Sequence, residues 1–144
     1  MRKTTVADLM STDVVTLSEE TDLLFATAAM KLRKIRHLPV VRGHELVGLI
    51  SHRDLLRAQA RFMAGIKETG ETQISSVLAK EVMTTDVQTV SPDTPVDEAA
   101  MILVDCKFGC LPVVVEGATL IGILTEADCL RYAVGVLASM NSAH

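Results

Sequence analysis

Apolar positions recur along the chain at two spacings. Leu23, Ala26, Thr27 and Met30 fall at i, i+3, i+4 and i+7, as do Val96, Ala99, Ala100 and Leu103. That is the spacing of one helix face, and its small alanines permit close packing. Thr21 and Asp22 precede the first of these helices. Thr94 as N-cap, Pro95 at the first helical position and the acidic pair Asp97 and Glu98 open the second. Short apolar runs follow each helix: Leu38–Val41 and Leu46–Ile50, then Leu111–Val115 and Leu120–Leu124. Gly43 and Gly117 interrupt them as glycines interrupt hairpins. Val14–Leu17 and Val87–Val90 read as a further short extended stretch in each half. A last helix starts at Ser51 or Thr125. In the first half it is expected to run to about Met63, with Gly65 and Gly70 marking its end.

The chain is therefore internally repeated. Met10-Ser-Thr-Asp13-Val14-Val15-Thr16 matches Met83-Thr-Thr-Asp86-Val87-Gln88-Thr89 at an offset of 73, and Leu38-Pro39-Val40-Val41 matches Leu111-Pro112-Val113-Val114 at the same offset. After one inserted residue, Gly48-Leu-Ile-Ser51-His-Arg-Asp54 meets Gly122-Ile-Leu-Thr125-Glu-Ala-Asp128. Self-similarity in three places, in order, defines the architecture before any local detail. The expected organisation is repeat one over 1–65, a linker over 66–78 and repeat two over 79–144. The expected fold class is α+β, with two β-α-β-β-α units. One unit cannot cover its own apolar sheet face, so two packed sheet to sheet with pseudo-two-fold symmetry are expected.

Composition sharpens this picture. Apolar residues make up 49% of the 144 residues and aromatics 3%, so the core is aliphatic and the chain is not a disordered regulator. No apolar run reaches the roughly 18 residues of a membrane helix. No signal-peptide pattern follows the first residues, and a cytoplasmic location is expected. Cys106, Cys110 and Cys129 are odd in number and lack Cys-x-x-Cys spacing, which argues against disulfides and structural zinc. Cys106 and Cys110 read as small packing residues, and Met10, Met30, Met83 and Met101 as core filler.

Net charge is −4, unevenly spread. Residues 1–65 carry ten Lys/Arg against seven Asp/Glu, whereas residues 66–144 carry four against eleven. A general nucleic-acid binder would normally be basic overall, so the net charge disfavours that class. A small anion would be drawn to the first half. Glu19 and Glu20 read as solvated charge before a helix start. No Gly-x-Ser-x-Gly, Walker A or Gly-x-Gly-x-x-Gly pattern occurs, and no catalytic residue or metal ligand set is assigned.

The early Met-x-x-Asp-Val-x-Thr stretch, the Leu-Pro-Val-Val strand and the Gly-h-h-Ser/Thr-x-x-Asp segment (h, apolar) each occur twice. Together they resemble the CBS domain, named for cystathionine β-synthase, in its usual tandem pair. The resemblance covers nearly the whole length. It implies a non-catalytic regulatory module binding AMP, ADP, ATP or S-adenosylmethionine in clefts between the repeats, with no required cofactor. It also implies a homodimer. An unidentified target protein is a further possible partner; nucleic acid and membrane are not expected.

By spacing alone, Ser51-x-x-Asp54 and Thr125-x-x-Asp128 are capping boxes. The resemblance adds phosphate contact for the hydroxyl and ribose contact for the carboxylate. Carried over, one site gathers Thr125 and Asp128 with Asp13, Val14, Val15, Arg36 and His37. The other gathers Ser51, Arg53 and Asp54 with Asp86, Val87, Gln88, Gly109 and Cys110. For Arg36 and Arg53 a surface role and a ligand role weigh equally, and His37 also fits a core histidine. A structural dimerisation scaffold with empty pockets, or a regulatory subunit of a separate enzyme or transporter, are the alternatives. The second helices carry Leu56, Ala60 and Phe62 in one repeat and Leu130, Ala133, Val134 and Val136 in the other, which a dimer would cover.

Overall fold

The computed structural model describes residues 3–69 and 76–142. The elements in order are α1 (Val6–Leu9), α2 (Leu23–Arg33), β1 (His37–Arg42), β2 (Glu45–Ser51), α3 (His52–Thr69), α4 (Ala79–Val82), α5 (Val96–Cys106), β3 (Cys110–Val115), β4 (Thr119–Thr125) and α6 (Glu126–Ser142). They form two compact units, one of Val15–Val87 and one of Met1–Val14 with Gln88–His144. The first fourteen residues thus belong with the second repeat's hairpin and helices. Residues 76–87 belong with those of the first.

Each unit is built the same way. In the Val15–Val87 unit, Asp22 caps α2 by accepting from the Phe25 amide at 2.8 Å, and Leu23, Ala26 and Met30 turn inward. Strands β1 and β2 pair antiparallel from His37–Ser51 to Arg42–Glu45, with a bulge beyond Val40–Gly48. In the other unit, β3 and β4 pair from Cys110–Thr125 to Val115–Thr119, with the same bulge beyond Val113–Gly122. The inserted residue lies in the second hairpin loop, where Glu116, Gly117 and Ala118 replace the two residues Gly43 and His44. Gly43 at φ 65° and Gly117 at φ 89° occupy the left-handed region that such tight loops require. Around each hairpin an aliphatic core closes: Leu17, Leu23, Leu38, Val40, Ile50 and Leu55 in one unit, and Val6, Leu103, Leu111, Val113 and Leu124 in the other.

The short helices lock the exchanged segments. Helix α1 sits on the start of α5 through Val6 N–H to Thr94 O at 2.8 Å, Ala7 N–H to Pro92 O at 3.0 Å and Val96 N–H to Thr4 O at 3.0 Å. Helix α4 sits on the start of α2 through Ala79 N–H to Thr21 O at 2.7 Å and Leu23 N–H to Val77 O at 2.9 Å. Past each short helix a methionine covers a strand glycine. Met83 lies over Gly48, and Met10 lies over Gly122, where any Cβ would stand 2.8 Å from its sulfur and 3.0 Å from the Ser11 carbonyl oxygen. The backbone completes the contact: Ser11 and Ile123 exchange two hydrogen bonds of 2.9 Å, and Thr84 and Leu49 exchange bonds of 2.9 and 3.0 Å.

Several expectations are corrected. Val14–Leu17 and Val87–Val90 are not strands; each contributes one parallel bridge, Leu17 to Val40 and Val90 to Val113. Two bonds hold each bridge, such as Leu17 N–H to Pro39 O and Val41 N–H to Leu17 O, too few for a ladder. Helix α5 begins at Val96 with Pro95 as its N-cap, because Thr94 is spent on a turn in which it accepts from the Ser91 amide. Helix α3 continues through Gly65 to Thr69; a single glycine costs a helix only about 1 kcal/mol. Residues 66–69 of the expected linker are therefore helical, and Gly70 lies outside the described residues. Met101 and Cys106 are exposed rather than packed. Glu19 is not simply solvated: Arg42 grips it with Nε and Nη2 at 2.9 and 3.1 Å, which holds its carboxyl below the ordinary range. Glu20 likewise meets Lys80 at 3.0 Å.

A side chain at position 122 must displace both Met10 and a hydrogen-bonded carbonyl. Gly122→Ala is expected to lower stability by about 1–3 kcal/mol in urea unfolding, as overpacked sites do. Gly43→Ser, where a Cβ meets open space, should cost less, through backbone strain alone, about 1 kcal/mol.

Candidate functional site

Both Ser/Thr-x-x-Asp segments stand where a hairpin strand turns directly into a helix. Ser51 N–H donates to Asp54 Oδ2 at 2.8 Å, and Asp54 N–H donates to Ser51 Oγ at 3.1 Å. Thr125 and Asp128 repeat the exchange at 2.9 and 3.1 Å. These are complete capping boxes. The residue before each hairpin supplies a further acceptor. Arg36 O takes the His52 amide at 2.7 Å, and Gly109 O takes the Glu126 amide at 3.2 Å. Of the first-turn amides, which have no partner within the helix, those of Arg53 and Ala127 lie outside these bonds. Each junction thus keeps a donor at the positive end of a helix dipole, beside a hydroxyl and a carboxylate.

The exchanged segments bring part of each expected set together. Asp13 and Val14 share a unit with Thr125 and Asp128, and the Ser11–Ile123 pair runs two residues from Thr125. Asp86 and Val87 share the other unit with Ser51, Arg53 and Asp54, beside the Leu49–Thr84 pair. Val15, Arg36 and His37 belong to the Val15–Val87 unit, and Thr125 and Asp128 to the other. Gln88, Gly109 and Cys110 belong to the second unit, and Ser51 and Asp54 to the Val15–Val87 unit. Asp13, Arg36, Arg53, Asp86 and Gln88 are exposed, whereas Val14, Val15, His37, Ser51, Asp54, Val87, Gly109, Thr125 and Asp128 are half-buried.

Cys110 is 3% exposed, and burial pushes its thiol up to about 12. It remains a neutral packing group. Burial also raises Cys129, aided by the carboxylates of Asp128 and Glu126. Among the described residues no group of three His, Cys, Asp or Glu is placed to hold a metal ion, and no helix is long and apolar enough to cross a membrane.

Two features of the site escaped the sequence reading. Arg131 Nη2 donates to Asp128 Oδ1 at 2.6 Å, so both oxygens of that carboxylate are engaged. The i, i+3 spacing of the pair was the available signal. The Val15–Val87 unit also holds a cavity of about 490 Å³ between α2 and α3, lined by Lys31, Lys34, Arg36 and His52 over apolar Met30 and Leu55. No carboxylate lines it. The equivalent positions of the second repeat are Val104, Lys107, Gly109 and Glu126, so only one repeat is basic there.

This geometry defines a tandem-repeat module with two capped strand-to-helix junctions, each flanked by an acidic segment from the other repeat's sequence. A family model described as the CBS domain matches residues 6–61 and again 79–135, and the chain belongs to the CBS domain family. Inosine-5'-monophosphate dehydrogenase of Korarchaeum cryptofilum is 37% identical over 116 residues, which is 81% of this chain but 21% of the dehydrogenase. The chain therefore spans about a fifth of that relative. A Vibrio cholerae structure described as an acetoin utilization protein, AcuB, is 33% identical with a TM-score of 0.82, and 99% of each chain is covered. CBSX2 of Arabidopsis thaliana, solved in complex with AMP, is 28% identical with a TM-score of 0.78, covering 92% of this chain and 97% of that one. The CBS domain pair of MJ0100, solved with 5'-methylthioadenosine and S-adenosyl-L-methionine, is 27% identical with a TM-score of 0.79, covering 93% and 98%.

The thiols give a direct check. At pH 8 a thiol reagent should modify Cys106 in the native protein and Cys110 only after unfolding. Between about pH 9 and about 12 the unfolded chain loses the Cys110 proton while the folded state keeps it. Stability should therefore fall as pH rises through that window, and Cys110→Ala should remove this part of the decline.

Proposed function

We propose that the chain is a non-catalytic regulatory module that binds an adenine nucleotide or a related adenosyl ligand at its two Ser/Thr-x-x-Asp junctions. The carrying observation is the duplicated junction itself. A hydroxyl, a helix-start amide and a two-oxygen carboxylate converge within one turn, in both repeats. The amide and hydroxyl suit a phosphate, and the carboxylate suits the two hydroxyls of a ribose. Asp13 and Val14 accompany Thr125 and Asp128 in this reading. Asp86, Val87 and Arg53 accompany Ser51 and Asp54. The complexes of CBSX2 with AMP and of MJ0100 with S-adenosyl-L-methionine support the ligand class. The cationic cavity of the first repeat adds attraction for phosphate. The module acts by binding its ligand unequally in two conformations of a homodimer, and needs no cofactor or metal.

A second reading, a structural scaffold with unfilled sites, draws on one observation: Asp128 already spends both oxygens on Thr125 and Arg131. A ligand at that junction must displace Arg131, whereas Arg131 is 72% exposed and free to swing away. The two junctions are therefore unequal.

Titration calorimetry distinguishes the readings. A 2'-deoxy analogue of AMP should bind at least about tenfold more weakly than AMP, the loss of one charge-assisted hydrogen bond. Asp54→Asn and Asp128→Asn should weaken binding strongly while each apo protein stays within about 0.5 kcal/mol of wild type, because Asn retains an acceptor for the cap. The losses at the two positions should differ. Unchanged affinity together with lowered apo stability would leave the carboxylates as caps and favour the scaffold.

A further inference from the structure

The cavity of about 490 Å³ between α2 and α3 is built entirely within the Val15–Val87 unit. Its floor is aliphatic. Met30 and Leu55 belong to the core, and Ile35 and the exposed Leu56 extend that surface outward. Lys31, Lys34, Arg36 and the His52 imidazole border it. A lysine on an exposed helix face gains from an acid three or four residues away. Lys31 has none: those positions hold Thr27, Ala28, Ile35 and the like charge Lys34. Across residues 22–34 and 52–64 the acids are Asp22 and Asp54, and both are spent on helix caps. Among the described residues no carboxylate pairs with Lys31, Lys34 or Arg36.

The second repeat shows that the fold does not need these groups. It keeps the apolar ones, with Leu103 for Met30, Phe108 for Ile35 and Leu130 for Leu56. But Val104 stands for Lys31, Gly109 for Arg36 and Glu126 for His52. Both repeats end the helix on a left-handed lysine, Lys34 or Lys107, so that lysine alone belongs to the architecture. We infer that the cavity is a separate binding site, one per chain, for a small organic anion of the phosphate-monoester class with an apolar body. An apolar floor with a few placed polar groups is the make-up of a small-molecule pocket, and the volume is of the usual size. The Arg36 fork can bond two oxygens of the head. With two lysines beside it, the charge suits a doubly ionised phosphate better than a carboxylate. The aliphatic floor takes the body. Ser51 and Asp54 do not line the cavity; they face each other in the cap. The site is thus distinct from the junction and needs no ligand there. Arg36, which the family resemblance gives to the junction of the other repeat, lines this cavity in its own unit.

Titration calorimetry of the full chain with hexyl phosphate tests the site. One equivalent should bind. Hexanol and inorganic phosphate, the two halves of the probe, should each bind at least about tenfold more weakly, and hexanoate should fall between. Lys31→Val with Arg36→Gly installs the residues that the second repeat carries at these places. It should weaken hexyl phosphate at least about tenfold while circular dichroism stays native. Lys31→Gln with Arg36→Gln should do the same, and serves if the first variant unfolds. Saturating AMP should leave the affinity for hexyl phosphate within about threefold, below the coupling of linked sites. The site is overturned if hexanol binds as well as hexyl phosphate, or if a folded variant binds it unchanged. Competitive displacement of hexyl phosphate by AMP would overturn its separateness and merge the cavity with the junction. A chain that binds hexyl phosphate as expected but no AMP would count against the junction reading and leave the cavity site standing.

Discussion

The contact of a methionine with a strand glycine, made once in each unit, organises the molecule. Gly48 and Gly122 have no side chain, so Met83 and Met10 lie directly on the strand backbone, and Thr84 and Ser11 pair with Leu49 and Ile123 beside them. Everything upstream of that contact, the short helix and its bonds to the start of α2 or α5, is aligned by it. Everything downstream follows as well, because the chain leaving the methionine passes the strand end where the Ser/Thr-x-x-Asp junction begins. A larger residue at either glycine would move the acidic segment away from the junction it accompanies.

Much of this was legible in the residues. The repeat, the hairpins and the α2 and α5 core stripes follow from apolar spacing and from the two hairpin glycines. The one-residue insertion lands where such insertions are tolerated, in a hairpin loop. Which repeat each early segment packs on followed only from the family resemblance, which set Asp13 beside Asp128 and Asp86 beside Asp54, and not from the residues themselves. Met10-Ser-Thr-Asp13 and Met83-Thr-Thr-Asp86 are nearly the same, so either would suit either strand glycine. The choice is set by tertiary bonds of Thr4, Val6 and Val77 that leave no local pattern. The early stretches mislead for a related reason: Val14–Leu17 has strand-like residues, but only Leu17 finds a ladder partner. Helix α3 overran its expected end because one glycine costs a helix only about 1 kcal/mol and does not by itself stop it.

The candidate site was half legible. The Ser/Thr-x-x-Asp spacing announced a cap, and the cap is present in both repeats with near-identical distances. The same atoms suit phosphate and ribose, because a helix start offers the same amides to a side chain or a ligand. The asymmetry between the junctions was visible only in part. Arg36 against Gly109 stands in the sequence, but the engagement of Asp128 by Arg131, and the gathering of Lys31 and Lys34 beside Arg36 and His52, depend on where α2 ends. That end is the left-handed Lys34 at φ 55°.

The exchanged N-terminal segment has a consequence for synthesis. Residues 15–87 contain all of one unit, and they emerge from a ribosome in one continuous stretch. The other unit needs residues 1–14 and residues 88–144 together, so its first piece is made before its remainder exists. Val6 and Met10 are synthesised well before Leu103, Leu111 and Leu124, with which they pack. The connectivity therefore makes completion of the second unit wait on residues 88–144, which are synthesised after the whole of 15–87.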